Sequence, residues 1–272
     1  MTAEVGGVAV PEIDPDIPHV ARVLDYLLGG DANFPADRAA AEQAFAAWPG
    51  GDVRLDICSA RAALGRIVRH LAGDLGIRQF LDIGSGLPTA DNTHQVARSV
   101  APDAKVVYVD PDPLVIAHGR ALLRDCPPET TAFISGDIHD PGRILKDAAA
   151  VLDFDRPIGV IMFGLLHFVP DEQQPEALMK AVVDALAPGS AVGFSHFARI
   201  EGDDAMDETF EQLNRQWGES VVRRTSAEAA RLFFTGLEPI APGVTELPDW
   251  RPEAGAPAGR PMPMWCGAAV LR

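Results

Sequence analysis

Apolar positions along the chain change period near residue 76. Before it, Val20, Val23, Leu24, Leu27 and Leu28 recur at helical spacing on one face and stop at Gly29-Gly30. A second helix is expected from Ala36 to Trp48, ending at Pro49-Gly50-Gly51. A third starts at an Asp52 cap and aligns Val53, Ile57, Ala60, Leu64, Ile67, Val68 and Leu71 on one side. After Gly76, short apolar runs bounded by turn residues alternate with helical stretches, the pattern of a parallel sheet covered by helices. The expected strands are Gln79 to Ile83, Val106 to Val109, Thr131 to Ile134, Ile158 to Phe163 and Ala191 to His196. Helices are expected near 91–100, 112–124, 141–150 and 172–187, then at 204–217 and from Ser226 to Phe234. Two last runs, Leu237 to Ile240 and Trp265 to Leu271, lack a crossover helix between them and should pair antiparallel. The chain thus divides into a loosely attached tail (1–15), a helical segment (16–75) and an α/β segment (76–272), folded as one domain.

Composition narrows the functional classes. No apolar run approaches the roughly 18 residues of a membrane span, and the start lacks the basic and apolar regions of a secretory signal, so a cytoplasmic location is expected. A formal net charge of −16, with no basic cluster longer than Arg223-Arg224, argues against nucleic acid as a partner. Cys58, Cys126 and Cys266 show no paired spacing, and no His or Cys pattern matches a metal site. Arginine outnumbers lysine heavily, and Ala, Gly and Pro are abundant, the bias of GC-rich codons.

Candidate chemistry concentrates where strands end. Phe80-Leu81-Asp82-Ile83-Gly84-Ser85-Gly86-Leu87-Pro88-Thr89 closes the first strand and leads into a helix. Glycines there let a ligand approach the backbone, and the helix N-terminus offers unpaired N–H donors. Packing of a tight turn explains such a motif equally well when it stands alone. Asp110 ends the second strand near the spacing at which an acid accepts from ribose hydroxyls, so a nucleoside is a reasonable ligand. Asp137, followed by Ile138, ends the third strand at the same sheet edge and could accept from an adenine amino group. A dinucleotide fingerprint wants glycine at Thr89 and an apolar residue at Asp82. An acid at position 82 instead suits the amino-acid end of S-adenosylmethionine.

These features, with the terminal antiparallel pair, resemble Rossmann-like class I methyltransferases. The chain is most similar to an S-adenosylmethionine-dependent family of high-GC bacteria, first catalogued as a domain of unknown function. The similarity rests on Ala21 to Arg38, Asp82 to Thr93, Val107 to Pro113 and Phe163 to Asp171. It implies an α/β fold with a seven-stranded, mostly parallel sheet, an antiparallel last strand and an N-terminal helical lid. It also implies S-adenosyl-L-methionine as cofactor, held by Asp82, Gly84, Ser85, Gly86, Asp110, Pro111, Asp137, Ile138 and Phe163, with Tyr26, Asn33 and Phe34 brought near from the lid. Pro111 departs from the polar residue expected there and removes one backbone donor.

The loop Phe163 to Asp171 is where such enzymes begin the acceptor pocket. Methyl transfer from a sulfonium needs the acceptor held in line and, for some acceptors, a proton removed. His167 is the first candidate base and His196 the second, although a histidine among apolar residues also serves as plain packing. The expected partner is a small-molecule acceptor, with a homodimer as the one further association considered. Two rival readings are a non-catalytic protein that senses S-adenosylmethionine or its demethylated product, and a nicotinamide-dependent oxidoreductase, which Asp82 and Thr89 disfavour.

Overall fold

The structure is a computed structural model describing residues 4–5, 8–9, 14–48, 52–88, 91–217, 220–253 and 262–272. Most of the expected tail and of the Pro- and Gly-rich stretch at 251–263, and Thr89, lie outside the described residues. Within the tail, β1 (Glu4–Val5) and β2 (Val8–Ala9) pair antiparallel.

Three helices come next. α1 (Val20–Leu27) is capped by His19, whose ring accepts from the Ala21 amide. α2 (Pro35–Ala47) begins with proline at its first position, where a missing N–H is harmless. α3 (Val53–Gly73) starts at Asp52, whose carboxylate accepts from the Arg54 amide at 2.8 Å. The apolar stripe expected on α1 holds at Val23 and Leu27 and fails at Leu24. Leu24 is 40% exposed, whereas Arg22 and Asp25 are buried beside Val23 and Leu27, because their polar partners lie inside the hairpin formed with α2.

The α/β segment runs β3 (Gln79–Ile83), α4 (Thr93–Val100), β4 (Lys105–Asp110), α5 (Pro113–Leu122), β5 (Thr131–Ser135), α6 (Pro141–Ala148), β6 (Gly159–Phe163), α7 (Pro175–Val183) and β7 (Ala191–Phe197). It ends with α8 (Asp204–Trp217), α9 (Ser226–Phe234), β8 (Glu238–Pro239), β9 (Thr245–Glu246) and β10 (Met264–Val270). The helix expected over 172–187 is shorter, because Pro175 restarts it after a 3-10 turn at Asp171–Gln173.

The main sheet has the order β5-β4-β3-β6-β7-β10-β8, with β9 also on the outer edge of β10. The first five strands are parallel, and β10 runs antiparallel to β7. The terminal pair forms with Ala269 opposite Pro239. The seventh position of the sheet is therefore shared by two short strands, since Gly243 and a Pro-containing turn interrupt the run between them. Strand order reverses between β3 and β6, the switch point at which such sheets open a crevice at their carboxyl ends.

One core lies between the sheet and α3, α4 and α5, around Ile67, Leu71, Phe80 and Val106. A second lies against α6, α7 and α9, around Leu81, Ile144, Met179 and Phe233. Each fully buried side chain of this size stabilises the fold by about 1.5–3 kcal/mol. A third core joins Val23, Leu27, Ala41 and Trp48 of the helical cap to Met206, Phe210 and Leu213 of α8, with Phe168 and Phe197 packed against it.

Candidate functional site

The turn after β3 is shaped by its neighbours. Gly84 and Gly86 hold φ of 72° and 65°, a left-handed conformation that suits glycine. The amides of Gly84 and Ser85 donate to Val109 O at 2.8 and 3.2 Å. A Cβ on Gly84 would lie 2.7 Å from Leu165 Cδ1, whereas one on Gly86 would meet open space. The Gly86 amide donates to Asp110 Oδ2 at 2.9 Å, and the Asp112 amide to Asp110 Oδ1 at 3.0 Å. Asp110 is buried; desolvation raises its pKa, and the two amides oppose the rise. A carboxylate oxygen accepts more than one bond, so both oxygens retain capacity for hydroxyl donors. Pro111 is exposed and offers no N–H, leaving Asp112 to supply the donor.

Asp82 is buried at the end of β3 and accepts from Thr93 Oγ1 at 2.6 Å. Burial pushes its pKa up to about 6, against the lowering effects of the Thr93 hydroxyl and the Arg61 guanidinium. Ser85 Oγ beside it is buried without a hydrogen-bond partner. These groups line a pocket together with Arg61, Asn92 and Thr93. A buried hydroxyl left unsatisfied is costly, and here it sits where a polar ligand would complete it. An orphan hydroxyl, a glycine facing open space and two buried carboxylates fit a nucleoside bearing an amino-acid tail.

At the other end of this edge, Asp137 is largely exposed, and His139 donates to its Oδ1 twice, from the amide at 2.9 Å and from Nδ1 at 2.6 Å. Burial opposes ionisation of Asp137, but the His139 amide and ring outweigh it and hold the carboxyl below its ordinary range. His139 Nε2 reaches Gln173 Oε1 at 2.8 Å, linking this loop to the one after β6. Ile138 is buried in the second core, so it supports the loop from beneath.

The cap residues have partners within the cap. Tyr26 donates to Glu42 Oε1 at 2.7 Å, with the Arg54 guanidinium over its ring. Asn33 donates to Asp25 Oδ2 at 2.9 Å and to Gly30 O at 3.0 Å, and accepts from Arg38. The Phe34 amide donates to Asp37 Oδ2 at 2.8 Å, while Arg22 lies over its ring. Arg22 and Asp37 form a buried ion pair at 2.8 Å. Much of the segment Ala21 to Arg38 thus builds the α1–α2 hairpin. The cap meets the cofactor edge at His19, whose ring lies 3.1 Å from Asp112 Oδ2.

Beyond β6, half-buried Phe163 leads through Gly164 (φ 69°) into a 3-10 turn, Leu166–Phe168. His167 is 3% exposed, with its ring 4.3 Å from Phe168 and 4.4 Å from Phe197, and its Nδ1 has no hydrogen-bond partner. Burial, then His196 and Arg224, hold its pKa well below the ordinary histidine value. His196, also buried, is fully engaged: Nδ1 donates to Phe197 O at 2.9 Å, and Nε2 accepts from Arg224 at 2.8 Å. Burial lowers its pKa to about 4. With both nitrogens occupied, His196 acts as a support for Arg224. Arg224 also donates to Leu166 O and Val169 O, each at 3.1 Å, and pairs with Asp171 at 2.5 Å. Neither Arg61 nor Arg224 stands out in the sequence, since only tertiary packing brings them to these loops. Among the described residues, no group of three or more His, Cys, Asp and Glu side chains could hold a metal ion, and no helix is long and apolar enough to cross a membrane.

The strand order, the glycine turn joined to the acid of the next strand, and the acid before the turn define a Rossmann-like methyltransferase. The chain belongs to the S-adenosyl methyltransferase family, whose model matches residues 7–272, and S-adenosyl-L-methionine is its cofactor. It is 40% identical to a candidate methyltransferase from Thermobifida fusca, with a TM-score of 0.88 over 96% of this chain and 98% of that one. It is 33% identical to a DUF574 family protein from Streptomyces avermitilis, with a TM-score of 0.88 over 96% of this chain and 100% of that one. Magnesium protoporphyrin IX methyltransferase from Synechocystis shares the fold at 13% identity, with a TM-score of 0.54 over 88% of this chain and 95% of that one. No curated protein matches the chain.

Proposed function

We propose that this methyltransferase acts on a small-molecule acceptor bound against His167, under the helical cap. The observation that carries this reading is the buried, unpartnered Nδ1 of His167, whose ring packs on Phe168 and Phe197 beside the third core, an interior polar atom that a small acceptor would satisfy. The net charge of −16 further disfavours nucleic acid.

The cofactor supplies a methyl group on a positively charged sulfur, already activated for displacement. In this reading Asp110 accepts from the ribose hydroxyls, and Asp137 accepts from the adenine amino group through Oδ2. Pro111 and Phe163 line the adenosine, and the turn Gly84-Ser85-Gly86 admits the methionine end beside Asp82. Tyr26, Asn33 and Phe34 act indirectly, by keeping the cap closed over the site. His167 accepts a hydrogen bond from the acceptor N–H or O–H and so directs its lone pair at the methyl group. A neutral ring with a strongly depressed pKa orients the acceptor well and retains a proton poorly. Arg224 and His196 position the loop that carries it.

The test is incubation of the protein and S-adenosylmethionine labelled in its methyl group with a cell extract split into metabolite, protein and nucleic-acid fractions. Label is expected in the metabolite fraction. Label confined to protein or nucleic acid would overturn the reading.

A further inference from the structure

The neighbouring arginines Arg223 and Arg224 form the longest basic run in the chain and differ in how fully they are satisfied. Arg224 donates to Leu166 O, Val169 O and His196 Nε2 and pairs with Asp171, so its fork is occupied. Arg223 is also buried, and its Nη2 pairs with half-exposed Asp207 of α8. Its Nη1, however, is enclosed without a hydrogen-bond partner among the described residues. An unpaired guanidinium N–H inside a protein is costly, and an acceptor oxygen of a ligand would satisfy it. Backbone and ring contacts connect this nitrogen with the proposed acceptor site. Val222 N donates to His167 O at 2.7 Å and Arg224 N to Phe197 O at 3.1 Å, so the segment carrying Arg223 is bonded to both. The Arg223 guanidinium lies 5.4 Å over the Phe210 ring, Phe210 packs on Phe197 at 4.7 Å, and Phe197 packs on His167 at 4.4 Å. Trp48 lies against both phenylalanines. Arg223 Nη1 and His167 Nδ1, both buried and unpartnered, thus stand at the two ends of one run of ring contacts.

Resting on the proposed acceptor site, we infer that Arg223 selects the acceptor, an aromatic small molecule bearing a carboxylate or phosphate. Arg223 binds the anionic group, and the N–H or O–H to be methylated faces His167. The guanidinium fork suits this role, because one nitrogen stays with Asp207 while the other donates to the ligand oxygen. Asp207 is half exposed, so solvent screens its charge and the arginine keeps its attraction for an anion held inside. The surrounding rings favour a planar partner, which stacks where an aliphatic one only fills space. Phe210 belongs to α8, which makes that helix the element that gives way as the ligand enters. One anionic group needs one cation, whereas a nucleic-acid backbone would meet the net charge of −16 along its length.

Fractionation of the acceptor pool tests this. The metabolite fraction of a cell extract is divided by anion exchange at mildly alkaline pH into retained and unretained pools. Each is incubated with methyl-labelled S-adenosylmethionine and wild type, Arg223→Gln or Arg223→Lys, and S-adenosylhomocysteine affinity is measured for all three by calorimetry. Wild type is expected to label the retained pool, in a product with aromatic ultraviolet absorption. Arg223→Gln should lower that incorporation on the order of 10–100-fold with unchanged S-adenosylhomocysteine affinity, and Arg223→Lys should recover part of it. Phosphatase treatment of the retained pool beforehand abolishes labelling of a phosphorylated acceptor and spares a carboxylate; either agrees with the inference. Wild-type labelling of the unretained pool alone, or of a product without a ring, would overturn it, and neither result depends on a variant. Undiminished labelling by Arg223→Gln would overturn it as well, as would a matching loss of S-adenosylhomocysteine affinity, which would make Arg223 a support of the fold. If neither pool takes label, the acceptor reading falls and takes the inference with it.

Discussion

Gly86 donates its amide to Asp110 Oδ2 across 2.9 Å, which makes the turn after β3 and the acid ending β4 a single hydrogen-bonded unit. Loss of the acid therefore loosens the glycine turn and, in the proposed site, removes a ligand group with it.

Asp110→Ala should weaken S-adenosylhomocysteine binding about 100-fold, and Asp110→Asn about tenfold, because the amide keeps one acceptor but loses the charge. Isothermal calorimetry measures both. Wild-type affinity in Asp110→Ala would exclude a ribose contact.

Asp82 makes binding and stability respond to pH in opposite directions. Its pKa is about 6 in the folded protein against 3.8 ordinarily. Between those values the folded chain holds a proton that the unfolded chain has released, so this group increasingly destabilises the fold as pH rises through 6. Asp82→Asn should raise the stability of the ligand-free protein at pH 7 by on the order of 1–3 kcal/mol in urea unfolding. In the proposed site the ionised acid faces the cofactor's ammonium, so wild-type affinity should be full above pH 6 and fall by up to about tenfold per unit below it. A flat wild-type profile from pH 5 to 8 would contradict this.

The two turn glycines should respond differently to alanine. Gly84→Ala meets both an unfavourable φ and the Leu165 methyl, and is expected to lose about 2–4 kcal/mol of stability. Gly86→Ala meets only the backbone penalty of about 1–2 kcal/mol, but its methyl enters open space that the proposed site gives to the cofactor. Thermal melts should therefore be hit harder at 84, with cofactor affinity falling in folded Gly86→Ala protein.

Asp37 accepts from the amides of His19 and Phe34 as well as from Arg22. Asp37→Ala leaves a buried guanidinium without its partner and should destabilise the protein by about 3–5 kcal/mol. Replacing both members of the pair, Arg22→Met with Asp37→Leu, should recover part of that loss in the same unfolding assay.

The parallel strands were legible because each is a short apolar run, most of them closed by Gly or Asp, and the acids Asp82, Asp110 and Asp137 were picked out because they lie at or just beyond the ends of those runs. Element ends shifted by only a few residues. What the sequence hid depends on partners far along the chain. Leu24 falls on the apolar stripe of α1 yet lies outside, because the interior is taken by Arg22 paired with Asp37 and by Asp25 bonded to Asn33. β9 is two polar residues, Thr245–Glu246, and carries no periodic signal. His196 resembles a candidate base in sequence, and only its contact with Arg224, 28 residues on, reveals that its acceptor nitrogen is occupied.

The third core also governs the order in which the protein can be made. Its first half, Val23 to Val53, leaves the ribosome early, while Met206, Phe210 and Leu213 follow roughly 150 residues later, during synthesis that proceeds from the N-terminus. Until α8 arrives, the cap helices have an apolar face with no floor. The carboxyl edge of the parallel strands is thus made before the roof above it can close, and the proposed acceptor site comes into being only when most of the chain has been translated.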